Sequence, residues 1–65
     1  ELSPRELQLI KLVCQQKTSK EIAEKMGYSF RTIEEFRGLL MRKIGVKGPI
    51  GIAFYAVKNG IYKIK

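Results

Sequence analysis

The sequence predicts an all-α fold, a compact four-helix domain, and three kinds of observation predict it. Helix-start signatures recur at Ser3-Pro4-Arg5-Glu6, at Thr18-Ser19-Lys20-Glu21 and at Ser29. Single glycines, Gly27, Gly45 and Gly60, stand where helices should stop, and between them apolar residues repeat at helical spacing. The first helix should run from about Pro4 to Gln15. Ser3 caps its free N–H groups, Pro4 suits the first helical position and Glu6 completes a capping box. Leu7, Ile10 and Cys14 form an apolar stripe that Leu9, Leu12 and Val13 widen, so this helix should be packed on more than one side. The second helix, about Ser19 to Met26, repeats the capping logic with Thr18 and Glu21 and turns Ile22, Ala23 and Met26 inward. Gly27 ends it because glycine adopts the left-handed backbone conformation that a helix stop commonly needs. After a very short turn, Ser29 caps a third helix from about Phe30 to Ile44, with Ile33, Phe36, Leu40 and Ile44 on one face. Gly48-Pro49 restarts the chain for a fourth, about Pro49 to Asn59. The tail Ile61-Tyr62-Lys63-Ile64-Lys65 alternates apolar and polar residues but has no strand to pair with, and is expected to be irregular.

Sixty-five residues make a single domain, 1–65, of modest stability, since a chain of this size buries only about 60% of the surface it exposes unfolded. The absence of histidine, the single cysteine and the lack of clustered carboxylates leave no metal site, no catalytic triad and no Cys-His nucleophile. The expectation is therefore no enzyme and no cofactor. Cys14 has no intramolecular disulfide partner and should serve as a small buried hydrophobe in a reducing cytoplasm. Thirteen Lys and Arg against six Glu give a formal charge of +7, which points to a polyanionic partner: nucleic acid, an anionic membrane or an acidic protein. The charges form no polybasic block of the kind that binds lipid headgroups, no apolar run approaches the roughly 20 residues of a membrane span, and the N-terminus has no signal-peptide layout. A start at Glu1, without methionine and close to a helix signal, suggests a fragment of something longer.

The second helix, the turn at Gly27 and the third helix have the layout of a central helix-turn-helix, in which one helix crosses the DNA backbone and the next lies in the major groove. Ala23 is small where a bulky residue would hold the two helices apart, Gly27 permits the turn, and Ile33 and Phe36 pin the third helix to the core. At about 100° per residue, Arg31, Glu34, Glu35, Gly38 and Arg42 then point away from the core. Lys20, Arg31, Arg37, Arg42, Lys43 and Lys47 gather around this element, where phosphate contacts would set orientation and supply affinity. Arg5, Lys11, Lys58, Lys63 and Lys65 lie outside it and receive no role.

The runs Leu2-Ser3-Pro4-Arg5-Glu6, Lys17-Thr18-Ser19-Lys20-Glu21-Ile22-Ala23, Thr32-Ile33-Glu34 and Arg42-Lys43-Ile44-Gly45-Val46-Lys47, taken in this order, resemble the signature of LuxR/FixJ-type DNA-binding domains of bacterial transcriptional regulators. The resemblance covers nearly the whole chain. It implies the C-terminal output domain of a longer regulator, usually following a receiver or ligand-sensing domain, that binds promoter DNA as a homodimer through its fourth helix. It also implies base-reading positions at Glu34, Glu35 and Gly38 and phosphate contacts near Lys20, Thr32, Arg42, Lys43 and Lys47, to which placement around the element adds Arg31 on the reading face and Arg37 among the phosphate contacts. Two departures stand out. Phe36 occupies a place where the family often has histidine, and Gly48-Pro49 replaces a common Ser-Arg pair, removing one cap hydroxyl and one phosphate-contacting arginine.

Both glutamates would have to approach a phosphate-lined groove. A carboxylate can accept a hydrogen bond from cytosine N4, but it can equally turn sideways to pair with Arg31 or Lys20. The fourth helix is apolar around its full circumference, so one small domain cannot cover it. With Ile50, Ala53, Phe54 and Val57 facing the core, Ile52, Tyr55 and Ala56 would look outward and meet a twin helix across a two-fold axis, or else pack on a preceding domain or stay exposed. The reading from another class is a protein-interaction module in which the acidic pair on the third helix meets a basic partner.

Overall fold

A computed structural model describes residues 1–63, and its first helix is built by the hydrogen bonds that the sequence around Ser3 prescribes. The Ser3 hydroxyl accepts the Glu6 N–H at 3.2 Å while the Glu6 carboxylate accepts the Ser3 N–H at 2.8 Å, which satisfies two donors that a helix start would leave free. The helix α1 spans Pro4–Cys14, one residue shorter than expected, and buries Leu9, Ile10, Leu12 and Val13. Gln16 ends it in the left-handed region, φ 63°, and Lys17 N–H and Gln16 N–H donate to the Leu12 and Val13 carbonyls at 3.1 and 2.9 Å. Thr18 and Glu21 form the second capping box, at 3.1 and 2.8 Å, and α2 spans Ser19–Met26 with Ile22 and Ala23 buried. At its end Gly27 takes φ 78°, and the N–H groups of Gly27 and Tyr28 both donate to the Ala23 carbonyl.

Ser29 caps α3, Phe30–Ile44, by accepting the Thr32 N–H at 3.1 Å, and α4 spans Pro49–Lys58 behind a Gly48 that has no side chain to cap with. All four helices are those the sequence predicts, and no strand occurs among the described residues. α1 packs on α4, α2 on α3, and α3 touches α4. Leu9, Ile10, Ile22, Ile33, Leu40 and Ile52 interlock as the fully buried centre, so every helix contributes to a single core. Burial of this kind, at roughly 25 cal/mol per Å² of apolar surface removed from water, is what holds so small a domain together.

Two expectations change, and the tail keeps its irregular path where it is described. The face of α4 is the reverse of the one predicted: Ile52 and Ala56 are 0% exposed and belong to the core, Tyr55 is half-buried, and Ile50, Phe54 and Val57 look outward. The reason is steric. A helix apolar all round has no polar stripe to fix its rotation, and the phase is instead set where the backbone can come closest. Gly51 supplies that place, because a Cβ there would lie 2.7 Å from the Val46 Cβ, and the small Ala56 one turn and a half further on lets the helix settle inward. Cys14 is half-buried rather than fully buried, packed against the core, and partial burial pushes its thiol above the ordinary value, as suits a packing group rather than a reactive thiolate. Of the tail, Ile61 and Tyr62 pack on the core and their N–H groups both donate to the Ala56 carbonyl, at 2.8 and 3.2 Å, in an irregular path. Residues 64 and 65, part of the tail expected to be irregular and including Lys65, lie outside the described residues.

Candidate nucleic-acid interface

Anchored by the buried Ile33 and Leu40, α3 turns its other side to solvent. Phe36 and Ile44 pack half-buried along the edges of that anchor. Arg31, Glu34, Glu35 and Arg42 are exposed and Gly38 is half-exposed, so the structure brings the expected reading positions together on one free face. Gly38 leaves a gap in that face, for a Cβ built there meets nothing within 4 Å. No neighbour demands a glycine at this point of the fold.

Neither glutamate stands alone. The Arg31 guanidinium pairs with Glu35 at 3.8 Å, one helical turn apart, with side chains 90% and 64% exposed, so the pair is loosely held and surface-screened. Glu34 is held differently. It accepts the Ser19 hydroxyl proton from the first residue of α2, and Ser19 Oγ accepts in turn from Arg37 Nη1 at 3.2 Å. Ser19 is a buried polar residue, while Lys20, which could have paired with Glu34, stays exposed. Neither partner is legible in the sequence, since Ser19 lies 15 residues from Glu34 and their contact exists only once α2 packs on α3.

The surrounding cations differ in their freedom. Lys20, Arg42 and Lys47 are exposed. Lys43 Nζ sits 3.0 Å from Glu6 Oε1, so the carboxylate that closes the α1 capping box also holds a cation of α3. That carboxylate lies below its usual range, chiefly through the Ser3 backbone N–H and then through Lys43. Thr32 is half-buried, its Oγ1 accepting from the Ser29 hydroxyl at 2.9 Å. Arg37, expected near a phosphate, is half-buried and turned back to Ser19.

Arg5, to which the sequence assigned nothing, closes the far flank. Its guanidinium lies 4.8 Å from the Phe36 ring centre and 5.9 Å from that of Tyr28, and its Nη1 donates to the Tyr28 hydroxyl at 3.3 Å. Tyr28 and Phe36 meet edge to face, centroids 5.2 Å apart at 79°. This stack ties the start of α1 to the turn and to α3, and so helps to fix the angle at which α3 is presented. The one signal that could have found it was Phe36 itself, an aromatic ring in a place where the resembling family often has histidine. Among the described residues no group of three or more His, Cys, Asp or Glu could hold a metal ion, and no helix is long and apolar enough to cross a membrane.

With this geometry in place, comparison with known proteins agrees with the resemblance read from the sequence. The family model described as bacterial regulatory proteins, luxR family, matches residues 1–56. The chain is 37% identical over 60 residues to the transcriptional regulatory protein MctR of Rhizobium johnstonii, covering 92% of this chain and 28% of that protein. It is 39% identical over 58 residues to the oxygen regulatory protein NreC of Staphylococcus aureus strain JH9, covering 89% of this chain and 27% of that one. The chain thus spans between a quarter and a third of the length of these relatives. No solved structure matches it significantly.

Proposed function

This chain belongs to the luxR family of bacterial regulatory proteins and is a DNA-binding helix-turn-helix domain, and from that premise we propose how it binds: α3 enters the major groove of double-stranded promoter DNA, as the output element of a longer transcriptional regulator. The observation that carries this reading is the free polar face of α3, held from behind by Ile33 and Leu40 and flanked by Lys20, Arg42 and Lys47 in solvent. Arg31, Glu34, Glu35 and Gly38 occupy the base-reading face, and Lys20, Thr32, Arg42, Lys43 and Lys47 meet phosphates. Phosphate contacts orient the domain and supply most of its affinity; base-edge contacts choose the sequence.

The longer protein is proposed to be cytoplasmic and to carry an N-terminal receiver or sensing domain, a reading supported by the small share of each relative that this chain covers. Binding is proposed to be dimeric, with the outward stripe Ile50, Phe54 and Val57 of α4 meeting its twin; that stripe replaces Ile52, Tyr55 and Ala56 as the contact. A protein-interaction role for the acidic pair of α3 is the other reading; no contact among the described residues favours it, and the luxR-family match over residues 1–56 supports DNA instead.

Titration of the domain against a selected operator and an unrelated duplex at several salt concentrations tests this function. Lys47→Ala is expected to weaken both duplexes alike and to make the salt slope shallower by about 0.9, since a phosphate contact releases counterions whatever the sequence. Glu34→Ala is expected to change which base pair is preferred. Weak binding that ignores salt would reject the DNA reading.

A further inference from the structure

Of the two carboxylates on the exposed face of α3, only Glu34 is fixed from outside its own helix. A serine hydroxyl has one proton to give and lone pairs to receive with. In Ser19 the proton goes to the Glu34 carboxylate and a lone pair takes the Arg37 Nη1 proton at 3.2 Å, so the direction of the chain Arg37 to Ser19 to Glu34 is set by the arginine, which can only donate. Ser19 is itself 8% exposed, buried where α2 packs on α3.

Three consequences follow for a helix in a groove. The long Glu34 side chain is ordered before DNA arrives, so less rotamer freedom is lost on binding. The positive charge of Arg37 sits in the same cluster and offsets the repulsion between a carboxylate and nearby phosphates. One oxygen is engaged by Ser19, and the other is left as a pure acceptor on an exposed residue. A pure acceptor rejects guanine and thymine, whose major-groove edges present only acceptors or a methyl group. Adenine N6 has acceptors on both sides, its own N7 and the thymine O4, whereas cytosine N4 has one on a single side.

We propose that Ser19 and Arg37 are positioning residues that aim Glu34 at the exocyclic amine of a cytosine, so that the operator of this regulator carries cytosine at the Glu34 position. The proposal rests on α3 being the major-groove helix. It assigns Arg37 to holding the reader rather than to holding a phosphate.

The test begins by selecting bound duplexes from a random pool with the unaltered chain, followed by affinity measurements on the selected duplex with each base pair placed in turn at every position. At one position cytosine is expected to be preferred about tenfold or more. Glu34→Gln moves that preference toward adenine, whose N6 and N7 suit an amide. Ser19→Ala flattens the preference at that same position and leaves both the salt slope and the affinity for an unrelated duplex unchanged, and adding it to Glu34→Ala costs nothing further. Arg37→Met, which keeps a long packing stem, produces the same local loss; a phosphate-contacting arginine would instead weaken every duplex alike and lower the slope by about 0.9. A cytosine preference that survives Ser19→Ala, a uniform loss for Ser19→Ala or Arg37→Met, or a Glu34-dependent position that prefers another base overturns this proposal alone. An unaltered chain that selects no sequence and binds no duplex in a salt-dependent way overturns the groove reading with it.

Discussion

At the scale of single residues, two backbone positions decide more than any contact visible in the sequence. Gln16 carries the left-handed conformation that Gly27, Gly45 and Gly60 carry elsewhere, at φ 63°, because the Leu12 and Val13 carbonyls need the hydrogen bonds it brings round. A side chain there costs about 1 kcal/mol, and glycine's greater freedom in the unfolded chain takes back part of the gain. Gln16→Gly is therefore expected to stabilise the domain by about 0.5 kcal/mol, a rise of about 2–4 °C in Tm that thermal circular dichroism would resolve. Gly51 is the opposite case. Alanine ordinarily gains about 1 kcal/mol over glycine inside a helix, but here its Cβ would lie 2.7 Å from the Val46 Cβ, an atom bonded to the backbone rather than the far end of a flexible side chain. Overpacking of this kind costs about 1–3 kcal/mol, so Gly51→Ala should lower the melting temperature. Gly38→Ala, facing open space in α3, should raise it and serves as the control. Neither Gln16 nor Gly51 was legible beforehand. The sequence shows which residues tolerate a left-handed backbone, not where one is needed, and the Val46 contact is a matter of where α4 comes to rest.

At the scale of elements, what was legible is what is local. The starts of α1, α2 and α3 follow from Ser3, Thr18 and Ser29, and the ends of α2 and α3 from Gly27 and Gly45, because a cap acts across at most a turn. The rotation of α4 was not legible, since its composition offers no polar side to turn outward. The ties of Glu34 to Ser19, of Lys43 to Glu6 and of Arg5 to Phe36 were not legible either, for each joins one helix to another. The capping boxes make a prediction about acid. In the folded chain the Glu6 carboxyl lies below its ordinary value of 4.5, held there first by the Ser3 backbone N–H and then by Lys43, and the Glu21 carboxyl lies below it through the Thr18 backbone N–H. Because both are lowered on folding, both contribute stability above pH 4.5 that is lost as pH falls through the folded values. Melting temperature should therefore drop below pH 4.5. In the Glu6→Gln, Glu21→Gln double variant, which keeps both boxes in their amide form, the drop should be shallower. Equal acid sensitivity in the two proteins would show that the boxes do not titrate with folding.

At the scale of the whole molecule, charge and apolar surface make a joint prediction. The formal charge of +7 is spread over the chain, but the proposed phosphate contacts include four cations, Lys20, Arg42, Lys43 and Lys47, around one face. If each meets one phosphate, the logarithm of the binding constant falls against the logarithm of salt with a slope of about −3.6 for a single chain and about −7 for two chains bound together. The second figure requires a dimer, and the surface proposed for one is the outward side of α4, where Ile50 and Phe54 are each 73% exposed with Val57 beside them. Three large apolar side chains in one stripe of a charged surface lose water favourably when covered, and an isologous contact would place the two α3 helices about a two-fold axis, matching two half-sites one helical turn of DNA apart. Phe54→Glu sets two carboxylates against each other in such a contact while touching neither the core nor the face of α3. It is expected to leave the melting temperature nearly unchanged, to reduce the salt slope on a two-site duplex from about −7 to about −3.6, and to leave binding to a single half-site as it was. A slope that stays near its full value in Phe54→Glu would place the dimer contact, if there is one, away from α4. A loss on the single half-site as well would mean that this face meets DNA directly.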